Sequence, residues 1–399
     1  MKFGGTSVAT VEKIRKVAKT VKAESINHKI VVVLSAMSGV PNELQSLINE
    51  VNFKASTEAD LILTSGEQVT IGLLSMLLKK EGIKSVPLLG WQIPIVTDDQ
   101  HEKGRILNIN NENLYKYFQS NDVIVLAGFQ GISTQGYITS LGRGGSDTTA
   151  VAIASSIKAE RCDIYTDVEG VYTTDPNIET NAKKIDKLTY EEMLEMSSTG
   201  AKVLQTRSVE LAMKNNLTLQ VLSSFTNQQG TYVVNENELI ENEIVSGVSY
   251  SKNESKITIS GIPDKPGISA LVFGLMASNN INVDMIVQNI SKDGINANIT
   301  FTVPNNELEE SKKIIEEKYN ELNYSNLSTD SDIAKISVVG MGMMSQSGVA
   351  AKMFTTLAKN KINIQAISTS EIKISVLIKK IYTDLAIKSL HDVYKLDKK

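Results

Sequence analysis

The stretch NNINVDMI at residues 279–286 recurs as NKINIQAI at 360–367, and Gly267 and Phe273 stand in the same register as Gly348 and Phe354. A duplication of this length commits the second half of the chain to two copies of one supersecondary unit. Each copy reads strand, glycine turn, helix, strand, strand, helix, a ferredoxin-like order that lacks its last strand. The first copy finds that strand near Leu322 to Leu327, whereas the second runs out after a helix around Tyr382 to Tyr394. A free strand, Ile244 to Tyr250, precedes the first copy. It is expected to complete the second, so that one repeat is inserted within the other. The expected bounds are 256–330 for the first unit and 244–250 with 333–399 for the second. A polar, acidic linker at 235–243 precedes both.

Residues 1–234 follow a different pattern. Apolar runs at 30–36, 85–89, 123–129, 162–165 and 217–223 alternate with helical patterns such as 148–158 and 202–215. Unbroken apolar runs suit strands buried on both faces, and the alternation implies an α/β domain with a mainly parallel sheet. Ligands of such sheets bind beyond the carboxyl ends of the strands. Lys2, Ser35, Gly128, Arg143 and Thr166 are all expected at or just past such ends.

The heptad Leu141-Gly142-Arg143-Gly144-Gly145-Ser146-Asp147 follows an apolar run and a short polar hairpin, and leads into a helical pattern from Thr148. Glycines let backbone approach a ligand, and the free N–H groups of a helix start suit an anion such as phosphate. Arg143 adds a bidentate fork. A tight turn capped by Ser146 and Asp147, with Arg143 in solvent, fits the same residues. A second glycine turn, KFGGTS, holds Lys2 ahead of a helix with Val11, Ile14, Val17, Ala18 and Val21 on one face. The apolar pattern from Ala59 to Leu78 is interrupted at Ser65-Gly66-Glu67-Gln68, a junction between helices at which Glu67 reads locally as facing water. The turn-rich stretch TDVEGVYTTDPN, residues 166–177, either lines a nucleotide pocket or forms a long surface loop.

Of 399 residues, 41% are hydrophobic and 22% charged, which suits two or three ordinary globular domains. A net charge of −4 with 5% aromatic residues argues against a nucleic-acid partner. The single cysteine, Cys162, precludes an internal disulfide and reads as a small buried side chain. No run is expected to reach membrane-span length and no signal segment opens the sequence, so no membrane partner and a cytoplasmic location are expected.

MKFGGTS, LSAMSGV, SGEQV, GWQIPIVTD, AGFQG, LGRGGSDTTA, TDVEGVYTTDP, GAKVLQ and ISTSEIKIS, in this order and with the tandem repeat, resemble the aspartokinase family over nearly the whole chain. The resemblance implies an α/β, three-layer amino-acid-kinase fold with a mostly parallel central sheet, followed by two ferredoxin-like ACT domains. It leaves no room for a homoserine dehydrogenase domain. The implied reaction is phosphoryl transfer from Mg-ATP to the side-chain carboxylate of L-aspartate, giving 4-phospho-L-aspartate, the first step toward lysine, threonine and methionine. That carboxylate, with an ordinary pKa of about 3.9, is already ionised at neutral pH and needs no general base. Positioning and charge neutralisation remain as the catalytic tasks.

By resemblance, Lys2 and Lys202 face the phosphates and Asp147 orients Lys2. Gly4, Gly5, Thr166, Asp167, Tyr172 and Asp175 belong to the nucleotide pocket. Arg143 clamps the α-carboxylate of aspartate, Glu67 holds its ammonium, and Ser35 and Ser146 contact it. Mg2+ arrives with ATP, without a dedicated cage of carboxylates. Asp264, Gly267, Asp284 and Gln288 match effector contacts for lysine, threonine or both, and a homodimer or higher oligomer through 244–399 is expected. The sequence departs from the family at Pro41, where relatives carry a hydroxyl, at Asn177, where they carry arginine, and in a first strand that starts at Met1. Two other readings remain open: another acyl-phosphate-forming amino-acid kinase, and a catalytically weak amino-acid sensor.

Overall fold

The computed structural model describes residues 1–53, 56–198, 203–238, 244–291, 294–344 and 346–398. Two compact units emerge. The first holds Met1–Val171, Lys184–Ser197 and 203–238, and the second holds Tyr172–Lys183 and the described residues from 244 onward.

The first unit is built on an eight-stranded sheet. Its order is Lys187–Thr189, Thr231–Val234, Leu219–Ser223, Cys162–Thr166, Lys2–Phe3, Ile30–Leu34, Val123–Ala127, Ser85–Leu88. Every neighbouring pair is parallel except Leu219–Ser223 with Thr231–Val234. Strand Val123–Ala127, one in from the edge strand Ser85–Leu88, is buried at every position, which is why its sequence does not alternate. One face is covered by helices Val11–Glu24 and Ser65–Lys80, whose Ile14, Val17, Val21, Ile71, Leu74 and Leu78 share a core with Val32, Leu34 and Val125. Helix Gly145–Ser156 lies against strands of the same sheet and is buried from Gly145 to Ala154, so it shows almost no amphipathic signal. A second, four-stranded sheet, ordered Ile106–Ile109, Ile95–Thr97, Gln130–Ser133, Ile138–Ser140, carries the hairpin that leads into the glycine heptad.

One expectation fails here. Helices Ser56–Leu63 and Ser65–Lys80, parted only by Thr64, form a 25-residue stretch long and apolar enough to cross a bilayer. Its buried Ile71, Leu74 and Leu78 fill the sheet core and it also buries Asp60 and Glu67, the composition of a core helix.

In the second unit the first repeat runs Glu254–Pro263, helix Ile268–Ser278, Ile286–Ile290, Asn296–Pro304, helix Leu308–Glu317, Asn326–Asp330. Its strands form one antiparallel sheet. The second repeat runs Ile333–Val339, helix Val349–Lys359, Ala366–Thr369, Lys373–Lys379, helix Thr383–Val393. The earlier strand Gly247–Ser251 pairs antiparallel with Ile333–Val339 and completes the second sheet. Gly267 and Gly348 open equivalent helices at φ of 95° and 97°, a left-handed conformation that accounts for the glycine in each copy.

Residues Tyr172–Lys183, assigned from sequence to the first domain, belong to the second unit. The Val248 amide donates to the Thr173 carbonyl at 2.7 Å, and the Thr173 hydroxyl pairs with His391 Nε2 at 2.9 Å. Tyr250 donates its hydroxyl to Asp175 at 2.9 Å. These partners lie more than seventy residues away, so local pattern gave no sign of them.

Candidate active site

Lys2 lies in a two-residue strand paired in parallel with Val33 on one side and Ile164 on the other, and the ring of neighbouring Phe3 stacks on Tyr165 at 4.4 Å. The lysine is thus fixed from both flanks. Its Nζ stands 2.6 Å from Asp147 Oδ1, with both side chains 11% exposed. The contact is a close ion pair whose alignment is not that of a hydrogen bond. Asp147 sits in the first turn of helix Gly145–Ser156, where the helix dipole favours a carboxylate as well. The first glycine turn lies close against the loop that follows strand Ile30–Leu34: an added Cβ at Gly5 would lie 2.9 Å from the Ala36 carbonyl oxygen.

The helix starts at Gly145, three residues ahead of the pattern, after Gly144 at φ 72°. No side chain among the described residues caps it. Ser146 and Asp147 are therefore inside the helix, and the capped-turn reading of the heptad does not describe what forms. Ser146 is buried beneath Gly128, where a Cβ would approach its side chain to 2.8 Å.

Glu67 does not face water. It is 4% exposed, and its Oε1 accepts the Ala36 amide at 3.0 Å while Oε2 is buried without a hydrogen-bond partner among the described residues. Burial pushes its pKa up to about 7, against the smaller opposing pull of the Ala36 amide. Gly66 makes this possible, since it brings the helix so close to Ala36 that an added Cβ would lie 2.7 Å from that residue's Cβ. Thr70, one turn on, donates to the Ser35 carbonyl at 3.0 Å and braces the same loop.

Lys2, Ser35, Glu67, Arg143, Ser146 and Asp147 all line one cavity of about 350 Å³, together with Pro41 of helix Val40–Val51. Arg143 is exposed at it and makes no hydrogen bond or ion pair among the described residues. It follows the hairpin strand Ile138–Ser140 rather than a strand of the central sheet, as sequence had suggested. The cavity thus offers an unpaired guanidinium, a carboxylate with an open oxygen, and a lysine held by an aspartate at a helix N-terminus. That set suits a small zwitterion with an extra carboxylate beside a phosphate.

Thr166 ends the strand Cys162–Thr166 and its hydroxyl donates to Asp167 at 3.2 Å. Tyr172 and Asp175 lie in the second unit. Asp175 accepts from Tyr250 and from the amide and side chain of Asn177, at 2.9 and 3.0 Å, an Asx-type turn. Lys202 lies outside the described residues. Among the described residues no three His, Cys, Asp or Glu side chains gather as a metal site. Sequence reasoning missed Thr70, Gln205 and Arg207, whose contacts with Ser35, with Gly144, and with Leu141 and Gly104 respectively are long-range.

In the first repeat, Asp264, Gly267 and Gln288 line a shallow cavity of about 430 Å³ with Lys265. Asp264 does not cap the helix at Ile268, and Gln288 accepts the Ser269 hydroxyl at 2.7 Å. Asp284 is not part of this cavity. It is paired to the buried Lys335, which also reaches Glu254 at 3.5 Å.

The amino acid kinase family matches residues 1–223, and the ACT domain family matches 257–319 and 336–394. The chain is 48% identical to an aspartate kinase of Pseudomonas fluorescens over 401 residues, covering 99% of this chain and 97% of that one. It is likewise 48% identical to an aspartokinase of Pseudomonas aeruginosa over 400 residues, with the same coverage. Among solved structures, E. coli aspartokinase III in complex with aspartate and ADP has a TM-score of 0.82 at 23% identity, covering 98% of both chains. An aspartate kinase from Synechocystis is 37% identical with a TM-score of 0.54, covering 99% of this chain and 69% of that one.

Proposed function

The chain belongs to the aspartokinase family and phosphorylates the side-chain carboxylate of L-aspartate with ATP, and from this premise we propose how its own residues divide the work. Aspartate occupies the 350 Å³ cavity. Arg143 takes the α-carboxylate through two parallel bonds and Glu67 takes the ammonium on its open Oε2, while Ser35 and Ser146 complete the contacts. The observation that carries this reading is the buried, unpartnered Oε2 of Glu67 in the same cavity as the unpaired Arg143. A buried carboxylate oxygen without a donor is costly, and a substrate ammonium would relieve that cost.

The remaining carboxylate attacks the γ-phosphorus, and the bond to the ADP oxygen breaks with its electron pair leaving on ADP. No proton has to be removed from the nucleophile. Lys2 neutralises charge on the phosphoryl oxygens, and Asp147 holds its ammonium in place across 2.6 Å. Gly4, Gly5, Thr166 and Asp167 are assigned to the nucleotide. The same role for Tyr172, Asp175 and Lys202 rests on sequence alone. Magnesium enters bound to ATP and shields phosphate charge.

We further assign the Asp264 cavity to an amino-acid effector, lysine or threonine, and place the enzyme in the cytoplasm as a homo-oligomer, at the head of lysine, threonine and methionine synthesis. ATP-dependent hydroxamate formation tests the reaction. Aspartyl hydroxamate is expected. Glutamyl product would favour another acyl-phosphate-forming kinase, and none with any amino acid would favour a sensor.

A further inference from the structure

Arg143 stands between two glycines in left-handed conformations, Gly142 at φ 73° and Gly144 at φ 72°. Glycines give a turn wide conformational freedom, so an arginine between them aims at a ligand only if something else fixes the backbone. The structure provides that fixation from helix Thr206–Lys214. Arg207 donates one guanidinium nitrogen to the Leu141 carbonyl at 3.0 Å and another to the Gly104 carbonyl at 2.9 Å. Gln205, just ahead of the same helix, packs over Gly144 so closely that a Cβ there would lie 2.0 Å from its Cγ. The turn is therefore held on both sides of Arg143.

The second carbonyl belongs to a loop that is itself anchored. Asp60, completely buried, accepts the Glu102 amide at 3.1 and 3.2 Å and pairs with His101 Nδ1 at 2.8 Å. The Gly104 amide donates to the Ser140 carbonyl at 2.9 Å, and a Cβ on Gly142 would stand 3.0 Å from the Glu102 carbonyl oxygen. The Arg207 fork thus bridges a braced loop to a glycine-rich turn. Both of its side-chain hydrogen bonds among the described residues go to backbone carbonyls, so its charge serves to grip backbone rather than to pair with an acid.

We propose that Arg207 is a positioning residue for aspartate recognition, tying the Leu141 carbonyl to that of Gly104 so that Arg143 presents its fork to the α-carboxylate. It touches no substrate itself. The inference rests on the Arg143 clamp described above. A lysine at 207 keeps the charge but cannot bridge two carbonyls in a plane, so the turn loosens and the clamp is misplaced.

The test is steady-state kinetics on Arg207→Lys, Arg143→Lys and the double variant, with thermal unfolding in parallel. For Arg207→Lys the aspartate KM is expected to rise roughly tenfold, as a misplaced binding group would cause, with the ATP KM and kcat held within about twofold. The double variant should be no worse than Arg143→Lys, because both changes disable one clamp. Arg207→Ala should regain aspartate affinity on adding millimolar guanidinium. An unchanged aspartate KM, a multiplicative double variant, or a rise in both KM values with a lowered unfolding midpoint would overturn the positioning role. If instead Arg143→Lys leaves the aspartate KM unchanged, the clamp reading fails and takes this inference with it.

Discussion

Glu67 and Ala36 are joined through a 3.0 Å bond from the Ala36 amide to Oε1, which leaves Oε2 of the same carboxylate buried and open toward the aspartate cavity. Burial raises this carboxyl from 4.5 to about 7. The sign follows directly: the charged form is disfavoured in the folded chain, so Glu67 costs nothing below its unfolded value and its full penalty above about 7. A shift from 4.5 to about 7 corresponds to about 3 kcal/mol at most. Without aspartate, Glu67→Gln should therefore gain stability relative to wild type between pH 5 and pH 8. Thermal unfolding of both proteins at the two values checks it, and a constant difference would contradict the buried-carboxylate reading. Wild-type aspartate KM should rise as pH falls below about 7, since a protonated Glu67 no longer holds an ammonium.

Lys2→Ala and Asp147→Ala should each lower kcat by about 10²- to 10³-fold while the protein stays folded, because both act on charge that develops during transfer. Asp147 without Lys2 remains at a helix N-terminus, where its charge is tolerated. Near-normal turnover in either folded variant would remove that residue from the mechanism.

Gly66→Ala probes the approach that turns Glu67 inward. Its Cβ would meet that of Ala36 at 2.7 Å, so the helix must shift away from the loop that carries Ser35 and Ala36. A loss of about 1–3 kcal/mol, as for overpacked cores, should accompany a raised aspartate KM. Ala36→Gly in the same chain should restore both. Failure of the second change to restore either would mean that the steric contact is not the cause.

The strand core and the repeats were legible because their signals are local. Val123–Ala127 is apolar at every position, and the matched glycines at 267 and 348 both answer a left-handed helix start. A junction between two helices was visible too, although it falls at Thr64 and leaves Ser65 to Gln68 inside the second helix, and the direction of Glu67 was not visible. That direction depends on how near Ala36 stands, across a separation of 31 residues. Strands Ile95–Thr97, Ile106–Ile109 and Lys187–Thr189 escaped because three or four residues carry no periodicity. Arg207 escaped for a different reason: its partners are carbonyls, and every residue has one.

Pro41 lies in the first turn of helix Val40–Val51, where a missing N–H costs no intrahelical bond, and it lines the aspartate cavity. The ring is thus well placed for the helix and contributes no donor to the ligand. Pro41→Thr adds a hydroxyl and an amide at the cavity wall, and should lower the aspartate KM with kcat unchanged. A KM that stays or rises would show that the surrounding packing is fitted to the ring.

Control of the enzyme is the last question, and the first repeat frames it. Asp264 stands free of the helix cap near Gly267, where an added Cβ would meet no described atom within 4 Å. A carboxylate next to exposed helix N–H groups can hold the ammonium and carboxylate of one amino acid together. Lysine, threonine or the pair should therefore inhibit, and Asp264→Ala should relieve that inhibition with uninhibited turnover intact. Asp284→Ala should behave otherwise. Removing it strips a partner from buried Lys335, so it should lower the unfolding midpoint rather than act as a selective loss of inhibition. Since coupling between binding sites is reciprocal, bound aspartate should weaken effector affinity by the factor with which effector weakens aspartate. Titration of both amino acids against the three proteins, with sedimentation to follow assembly, decides the matter: an unaltered response in Asp264→Ala would move the effector site elsewhere.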